Sequence, residues 1–470
     1  MLYSQMKFAG QKECGSNSSL FPLEMPVWYG RRGEVSSDWL SVCTKERHRT
    51  KDLMERIAHP SNLQEACKQV VRNGGSSGVD KMSVSELKVW LSQHLMDLST
   101  TLKAGTFKAQ PTREVLIPKP QGGTRQLGIP TVIDRLVQQA VSQELMKIYD
   151  PSFSPNSFGF RPHRGAHQAL KQASEYLLEK RTSIVDIDLE KFFDKVNHDR
   201  LMWLLSTRIG DRRVLKLINQ FLQTGILRNG MVEQRLQGTP QGSPLSPLLS
   251  NIVLDEQDQE LHRGNHSFVR YADDLLIFEK HEEKAAKVKR KITGIITGRM
   301  KLKVNESKSG IRKIGEVVFL GHTFLSKGRL GVSPKSEYRF KSKLKELTRR
   351  NRSETFEVII SQLTPVMRGW LNYFQHAKMK SRMGKIDSWL KRRLKCFRLK
   401  QCKRCIGIVR FLRKQGVSES LCWRTGLSGK SWWRLSNSPG VSIGMSNKWF
   451  EEQGYYNLQA NYLKLHCNPL

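Results

Sequence analysis

The fold of this chain is decided by residues 267–278, which read Ser267-Phe268-Val269-Arg270-Tyr271-Ala272-Asp273-Asp274-Leu275-Leu276-Ile277-Phe278. Two largely apolar arms, Ser267–Tyr271 and Leu275–Phe278, flank a short turn that contains the two acids. This pattern predicts a β-hairpin with two adjacent carboxylates at its tip. Because turns favour Asp for ordinary hydrogen-bonding reasons, the pair on its own fits a structural turn better than a functional site.

A second acidic strand is predicted upstream of the hairpin. In Ile184–Leu189, apolar side chains alternate with the carboxylates of Asp186 and Asp188. Joining a nucleotide to a 3′-hydroxyl requires charge to be stabilised on the attacking oxygen, the transferred phosphoryl group and the leaving pyrophosphate. Two Mg²⁺ ions about 4 Å apart can do this when carboxylates on rigid strands hold them. Asp186 or Asp188, together with Asp273 and Asp274, are therefore candidate ligands for two magnesium ions.

The charge of the chain points to a polyanionic partner. The 470 residues include 79 Lys and Arg against 43 Asp and Glu, which gives a net charge of +36. A protein this basic repels itself unless a polyanion shares the charge, and phosphate backbones are the commonest such partner. A solubilising surface is the alternative, but such surfaces usually mix both signs of charge. We therefore expect the chain to bind nucleic acid.

Hydropathy and cysteine usage predict a cytoplasmic protein. The first thirty residues contain no continuous apolar stretch, and no run is long enough to cross a bilayer, so no membrane association is expected. The eight cysteines are then expected to be reduced thiols. Cys402 and Cys405 form a single CxxC motif, which predicts no zinc site because a second pair or nearby His partners are missing.

Composition divides the chain into four segments. Residues 1–50 read as a variable extension, 51–332 as mixed α and β, 333–447 as basic and helical, and 448–470 as a C-terminal tail. Between Lys335 and Arg434 there are 27 Lys and Arg against 6 Asp and Glu. Apolar spacing predicts five helices in the basic half: Lys335–Arg350, Thr355–Phe374, Gly384–Lys400, Ile408–Lys414 and Glu419–Thr425.

Several motifs together resemble one enzyme family. Tyr271-Ala272-Asp273-Asp274 resembles the YxDD signature of reverse transcriptases, and within that family the likeness to proteins encoded by bacterial group II introns is strongest. The other motifs, in the order that the family shows, are Ile117-Pro118-Lys119-Pro120, Gly123-Thr124-Arg125-Gln126-Leu127-Gly128-Ile129-Pro130, Phe158-Gly159-Phe160-Arg161-Pro162, Ile187-Asp188-Leu189-Glu190-Lys191-Phe192-Phe193-Asp194, Gly238-Thr239-Pro240-Gln241-Gly242-Ser243-Pro244-Leu245-Ser246-Pro247 and Phe319-Leu320-Gly321-His322-Thr323-Phe324. The likeness extends from about Leu53 to Asn447.

The resemblance implies an α+β right-hand polymerase followed by an all-α domain. Residues 51–332 would form the fingers and palm, and residues 333–447 the helical thumb and maturase domain. Marks of the helical domain are Arg368-Gly369-Trp370-Leu371-Asn372-Tyr373-Phe374 and Ser431-Trp432-Trp433-Arg434-Leu435-Ser436.

The resemblance also assigns the metal site. Asp188 matches the first catalytic metal ligand, and the backbone carbonyl of Leu189 would bind the second ion. Asp186 is the alternative, but Asp188 is preferred because Phe193 then matches the aromatic gate that excludes a ribose 2′-hydroxyl; Phe193 could instead be a plain core residue. Asp273 and Asp274 would complete the site, with Asp273 bridging both Mg²⁺ ions.

The resemblance implies contacts to the incoming nucleotide. Lys119 and Arg125 match basic finger residues that hold the triphosphate. Gln241 and Gly242 match the loop beneath the templating pair, and Lys308 falls where the family keeps a basic residue near the pyrophosphate. Phe319-Leu320-Gly321 resembles the primer-grip hairpin, although a core hairpin would look the same.

The basic helical half is expected to bind structured RNA through shape and phosphate contacts. Four basic residues are the candidate contacts: Lys391, Arg392, Arg393 and Arg398. Aromatic residues among them could stack on bases. For Trp370 and Phe374, which are four residues apart, a place in the helix-bundle core is the stronger interpretation.

Together these features predict an RNA-directed DNA polymerase that also binds group II intron RNA and assists its splicing and mobility. Its partners would be an RNA template, intron RNA, a DNA primer or target, and deoxynucleoside triphosphates. Alternatives are a domesticated reverse transcriptase acting in repair or defence, and an RNA-binding splicing factor without polymerase activity. No His-Asn-His-type endonuclease cluster is apparent, so cleavage of target DNA by this chain is not expected.

Overall fold

The computed structural model describes residue 47 and residues 50–118, 124–228 and 231–467. It divides into two compact units, the first made of Met1–Ser152 and Lys191–Val253, the second of Phe153–Glu190 and Leu254–Leu470. The variable extension predicted at residues 1–50 lies almost wholly outside the described residues. Across the described ranges, no helix combines the length and the apolarity needed to cross a membrane.

Helices and strands alternate up to residue 332, and helices alone follow. The helices are α1 (Leu53–Ile57), α2 (Pro60–Asn73), α3 (Leu87–Lys103), α4 (Val132–Tyr149), α5 (Ala166–Leu178), α6 (Phe192–Lys195), α7 (His198–Arg208), α8 (Arg212–Gln223), α9 (Ser246–Arg263), α10 (Glu282–Gly294), α11 (Pro334–Leu347), α12 (Phe356–Phe374), α13 (Lys380–Gln401), α14 (Cys405–Lys414), α15 (Glu419–Gly426), α16 (Trp432–Leu435), α17 (Pro439–Gly444), α18 (Asn447–Glu452) and α19 (Leu458–Cys467). The strands are β1 (Thr112–Pro118), β2 (Thr124–Ile129), β3 (Ser183–Ile187), β4 (Ile226–Arg228), β5 (Met231–Glu233), β6 (Ser267–Tyr271), β7 (Asp274–Glu279), β8 (Gly310–Arg312), β9 (Val318–Phe319), β10 (His322–Phe324) and β11 (Leu330–Val332).

The first unit combines a helical core with a four-stranded sheet. In the sheet, whose order is β2-β1-β4-β5, β1 and β2 form an antiparallel hairpin, whereas β1 and β4 run parallel. Helix α4 is the buried helix of this unit, because Leu136, Ala140 and Leu145 are fully inaccessible to solvent. The Thr131 hydroxyl caps this helix by accepting a hydrogen bond from the Asp134 N–H at 3.1 Å.

The second unit contains the sheet that carries the predicted acids. Its order is β6-β7-β3-β8, and all neighbouring strands are antiparallel. The predicted hairpin is confirmed as β6 and β7, while the strand predicted at Ile184–Leu189 ends at Ile187. Apolar side chains of α5 pack against one face of the sheet around Ile184 and Phe278, which fixes the register of both central strands.

The helical part of the second unit has a core of its own, which runs from Val332 to Tyr462. The five helices predicted there are confirmed as α11–α15, with ends shifted by a few residues. The composition change near 331–334 coincides with the passage from β11 to α11, and a domain division at that point stays a prediction.

The C-terminal tail predicted at residues 448–470 is wrong for its described part. Helices α18 and α19 place Trp449, Phe450 and Tyr462 in the helical core. Irregular spacing hid this role, because the aromatic residues come from two short helices and the loop between them. The buried carboxylate of Asp387 in α13 secures the segment.

Removal of the Asp387 carboxylate is expected to release α19. Its oxygens accept hydrogen bonds from the Tyr455 hydroxyl (2.8 Å) and from the backbone N–H groups of Leu458 (3.1 Å) and Gln459 (2.8 Å). Because Asp387→Ala leaves these donors without a partner, we expect the opening free energy of α19 to fall by about 2–4 kcal/mol. Hydrogen exchange of α19 amides measures this change. The exposed neighbour Ser388→Ala is the control, and equal protection in both variants would contradict the expectation.

Candidate active site

The tip of the acidic hairpin is held in one conformation from inside the protein. The Tyr271–Asp274 pair closes a two-residue turn in which Ala272 adopts a left-handed φ of 56°. Arg270 and Asp258 are both completely buried, and the guanidinium Nη2 lies 2.6 Å from the Asp258 carboxylate. The Nη1 atom of the same guanidinium donates a hydrogen bond to the Ala272 carbonyl at 3.0 Å. A buried ion pair therefore fixes the turn that presents Asp273 and Asp274.

Asp188 follows the strand next to this hairpin. Ile187, the last residue of β3, pairs with Leu275 of β7, so Asp188 and Asp274 come next on neighbouring antiparallel strands. The backbone on either side of Asp188 is anchored to the segment 302–309. Its N–H donates to the Ser309 hydroxyl at 2.9 Å, and its carbonyl accepts from the Asn305 N–H at 2.8 Å. The structure thus brings the three predicted acids to the same end of the neighbouring strands β3 and β7.

Leu189 and Lys308, two further predicted site residues, lie next to Asp188. Leu189 is buried and forms an antiparallel bridge with Val304. The Lys308 ammonium, on an exposed side chain, lies 3.4 Å from the Asp188 carboxylate. Sequence reasoning gave Lys308 a place near the pyrophosphate and did not foresee this ion pair with an acid.

Asp186 has a different environment from Asp188. Its carboxylate accepts a hydrogen bond from the Arg312 guanidinium at 3.1 Å. Burial raises the pKa of Asp186, and the Asp188 charge adds to the rise, while Arg312 opposes it. Asp186 is thus held by a guanidinium at 3.1 Å, whereas Asp188 has a looser ion pair with an exposed ammonium at 3.4 Å, and the choice of Asp188 as the metal ligand stays a prediction.

Like charge accumulates at the hairpin tip. Asp274 is exposed, but the surrounding protein partly desolvates its carboxylate. This desolvation, with the negative charges of Asp273, Asp188 and Asp186, raises the pKa of Asp274 to about 6. Lys308 opposes the shift. A divalent cation bound here would attract all of these carboxylates and so offset their mutual repulsion.

The donor set suits a hard divalent cation, since carboxylate and carbonyl oxygens are the ligands that Mg²⁺ prefers. Among the described residues, however, no three His, Cys, Asp or Glu side chains are already close enough to hold a metal ion. Lys308 and Arg312 bring positive charge to two of these acids, Asp188 and Asp186. The residues present therefore fit an oxygen-ligated metal ion, both by the chemistry of their oxygen atoms and by their position at the same end of β3 and β7.

In the first unit, three predicted nucleotide-site residues come together. The Thr239 N–H donates to the Phe193 carbonyl at 2.7 Å, and the Gln241 amide donates to the Asp194 carboxylate at 3.0 Å. Gly242 has φ of 120°, and a Cβ there would lie 3.1 Å from the carbonyl of Gly128. Phe193 is only half buried, whereas its neighbour Phe192 is in the core. A pure core role for Phe193 is therefore disfavoured.

The basic finger residues are only partly described. Arg125 lies in β2, opposite Ile117 in β1, and its side chain lies outside the described residues. Lys119 also lies outside them.

The four predicted RNA contacts are engaged inside the helical region. Three of them donate hydrogen bonds within the same unit: Lys391 to the Asn447 side chain (2.8 Å), Arg392 to the Trp433 carbonyl (2.8 Å) and Arg393 to the Thr348 hydroxyl (2.7 Å). The guanidinium groups of Arg392 and Arg398 also lie over aromatic rings, 4.0 Å from the Trp433 ring centroid and 4.7 Å from the Phe411 ring centroid. Arg393 also donates to the carbonyl groups of Lys345 and Thr348. These side chains stabilise the bundle, and the sequence prediction missed this role because it counted charge without knowing the partners.

Sequence reasoning missed the residues that support the acids. Ser309, Asn305 and Arg312 reach Asp188 and Asp186 from more than a hundred residues away, so no local pattern reveals them. One signal was present for Arg270, since a charged residue inside an otherwise apolar strand requires a buried partner.

An acidic strand next to an acid-tipped hairpin, in an antiparallel sheet covered by helices, defines the palm of a template-directed polymerase. Residues 117–324 match the family described as "Reverse transcriptase (RNA-dependent DNA polymerase)". Residues 338–416 match the "Group II intron, maturase-specific domain". The chain therefore belongs to the reverse transcriptase family, in the branch that carries the group II intron maturase domain.

Two sequence relatives and one solved structure are similar to parts of this chain. Protein YkfC of Escherichia coli (strain K12) is 31% identical over 320 residues, which cover 59% of this chain and 84% of that protein. The group II intron-encoded protein LtrA of Lactococcus lactis subsp. cremoris is 39% identical over 183 residues, 39% of this chain and 30% of LtrA. A solved telomerase of Candida tropicalis is 15% identical with a TM-score of 0.40, covering 57% of this chain and 65% of that one.

Neutralisation of Asp274 is expected to stabilise the metal-free protein. Its pKa of about 6 lies above the ordinary value of 3.8, so stability falls as the pH rises from about 4 to about 6 and stays lower above that range. Asp274→Asn removes this penalty and should add roughly 1 kcal/mol at pH 7.5, a figure reduced for solvent screening. Urea unfolding in a chelator checks this, with exposed Glu452→Gln as the control. A gain that persists undiminished at pH 4.5 would contradict the electrostatic cause.

Proposed function

We propose that this chain catalyses RNA-templated DNA synthesis with two Mg²⁺ ions held by Asp188, Asp273 and Asp274. The observation that carries the proposal is that these acids lie at the same end of β3 and β7, within a segment that matches the reverse transcriptase family. The ions would stabilise charge on the attacking 3′-hydroxyl and on the leaving pyrophosphate. Asp274 is ionised at neutral pH, since its pKa is about 6, and can then act as a ligand.

The residues around the acids would orient the nucleotide. Lys308 is placed to exchange its ion pair with Asp188 for a phosphate oxygen, because an ammonium acts as a mobile point charge. The Leu189 carbonyl would contribute to the second ion. Lys119 and Arg125 would hold the triphosphate, as the family resemblance implies. These contacts position the α-phosphate for attack, which is how phosphoryl transfer is mainly accelerated.

Primer extension on an RNA template tests the proposal and shows which of Asp186 and Asp188 is the metal ligand. Wild type should extend a DNA primer with Mg²⁺ and deoxynucleotides, whereas Asp273→Ala and Asp188→Asn should lower the rate at least about 1000-fold. Asp186→Asn should retain most of the rate, because Asp186 is already bound by Arg312. Absence of extension by a folded wild type that binds RNA would refute polymerase activity. Equal losses in Asp186→Asn and Asp188→Asn would overturn the choice between them.

Phe193 would select deoxynucleotides by its bulk. It is half buried beside Phe192, and the loop that contains Gln241 packs against its backbone. Removal of the ring opens space for a 2′-hydroxyl, so Phe193→Ala should lower discrimination against ribonucleotides by roughly 10- to 100-fold. Single-nucleotide incorporation kinetics measure the ratio of kcat/KM values. Phe193→Tyr keeps the bulk and should keep the discrimination; unchanged selectivity in Phe193→Ala would mean that another group provides the gate.

The maturase-domain match supports a second role, in which the helical region binds a structured intron RNA and assists its splicing and mobility. LtrA, which is 39% identical to this chain over 183 residues, is a group II intron-encoded protein. Exposed basic residues such as Lys380, Lys385 and Lys400 are better placed for phosphate contacts than the four engaged residues. The described cysteines are free thiols, which is consistent with a cytoplasmic site of action.

A further inference from the structure

Three apolar residues of the described chain have a strained, left-handed backbone conformation. Eleven non-glycine residues of the described chain have positive φ, and all but three of them are polar or charged. The three apolar residues are Phe160 (59°), Ala272 (56°) and Leu320 (49°). A Cβ makes this conformation costly, and a bulky apolar side chain in it is a true outlier that the surrounding structure must enforce. Ala272 forms the acid-bearing turn itself, and Leu320 lies in the predicted primer-grip hairpin, but Phe160 has no part in the proposed metal and nucleotide sites.

Phe160 is placed next to the catalytic turn. The segment that precedes it runs parallel to β6: the Arg270 N–H donates to the Asn156 carbonyl, and the Phe158 N–H donates to the Arg270 carbonyl, both at 2.9 Å. Gly159 then lies so close to the turn that a Cβ on it would be 2.3 Å from the Ala272 nitrogen. Phe160 therefore comes directly after the residue that contacts the Tyr271–Ala272 backbone, which precedes Asp273 in the chain.

The fold holds the Phe160 side chain outward. Phe158, two residues earlier, is 6% exposed, whereas Phe160 is 43% exposed. The residue that follows, Arg161, is buried and donates hydrogen bonds to the carbonyl groups of Ser154 (2.6 Å) and Ser157 (3.1 Å). This network fixes the loop in which Phe160 is strained. With 43% of its surface exposed, Phe160 forgoes much of the burial that a core Phe gains, so packing alone does not explain why a Phe occupies a position that glycine would occupy without strain.

We infer that Phe160 binds the template–primer duplex, with its ring against the base or sugar of a nucleotide near the catalytic acids. The inference rests on the proposed polymerase function and deepens it. An exposed aromatic ring beside the acids suits nucleic acid, because base and sugar faces are apolar and stack on such rings. The site is fixed by the same Arg270 backbone that anchors the turn, so the ring and the acids keep a constant spacing.

Three substitutions of Phe160 test the inference. Phe160→Ala and Phe160→Gly both remove the ring, and each should weaken equilibrium binding of a template–primer duplex by about 5- to 100-fold. Phe160→Tyr should bind within about 2-fold of wild type, since it keeps the stacking face. Because no charge is lost, the dependence of log Kd on log salt should keep its wild-type slope. Phe160→Gly should also melt at a higher temperature than Phe160→Ala, because only glycine relieves the positive φ.

The binding measurement is made without divalent metal, so it does not depend on catalysis and separates this inference from the polymerase proposal. Asn265→Gly, at another exposed position with positive φ (49°), is the matched control and should bind as wild type does. A wild-type Kd in Phe160→Ala would overturn the inference. So would a fall in kcat with unchanged Kd in both ring-deleted variants, since that result would make Phe160 a support of the turn and not a duplex contact.

Discussion

The completely buried ion pair between Arg270 and Asp258 is the interaction on which the acid site depends. Two charges are taken out of water there, and they are tolerated only because three short contacts join them. The Arg270 Nη1 atom also donates a hydrogen bond to the Ala272 carbonyl. The Arg270 backbone forms hydrogen bonds with the segment that leads to Gly159. One residue thereby determines both the turn that carries the acids and the loop beside it. Loss of either charge would leave the other buried without its ion-pair partner.

The elements that the sequence predicted well are those with strong local patterns. The β6–β7 hairpin and helices α11–α15 have clear periodicity, and the acids follow from motifs of fixed spacing. Supports that cross long stretches of chain could not be predicted, as with Ser309 at Asp188 and Arg312 at Asp186. The role of α19 was also hidden, because its attachment to Asp387 joins residues about seventy positions apart through backbone N–H groups that have no sequence signature.

The basic residues of the helical half show why charge counts do not locate a binding surface. Arg392 and Arg398 lie over aromatic rings, and Arg393 satisfies backbone carbonyl groups, so these guanidinium groups contribute to the fold. An arginine has five donors in a planar fork and serves such internal roles well. Lysines on the exposed face of α13, such as Lys385 and Lys400, can keep their ammonium groups in water. Net charge thus indicated the kind of partner, while the residues that contact it stay a prediction.

The helical core has a consequence for the order of events during synthesis. Its members begin at Val332 and continue to Tyr462, so the core cannot close until α19 has left the ribosome. The acid-bearing sheet is complete by β8, which ends at Arg312. The nascent chain therefore passes through an interval in which every strand of the acid-bearing sheet has been made while the basic bundle still exposes its apolar faces, and that interval is when a chaperone or a bound RNA could influence how folding finishes.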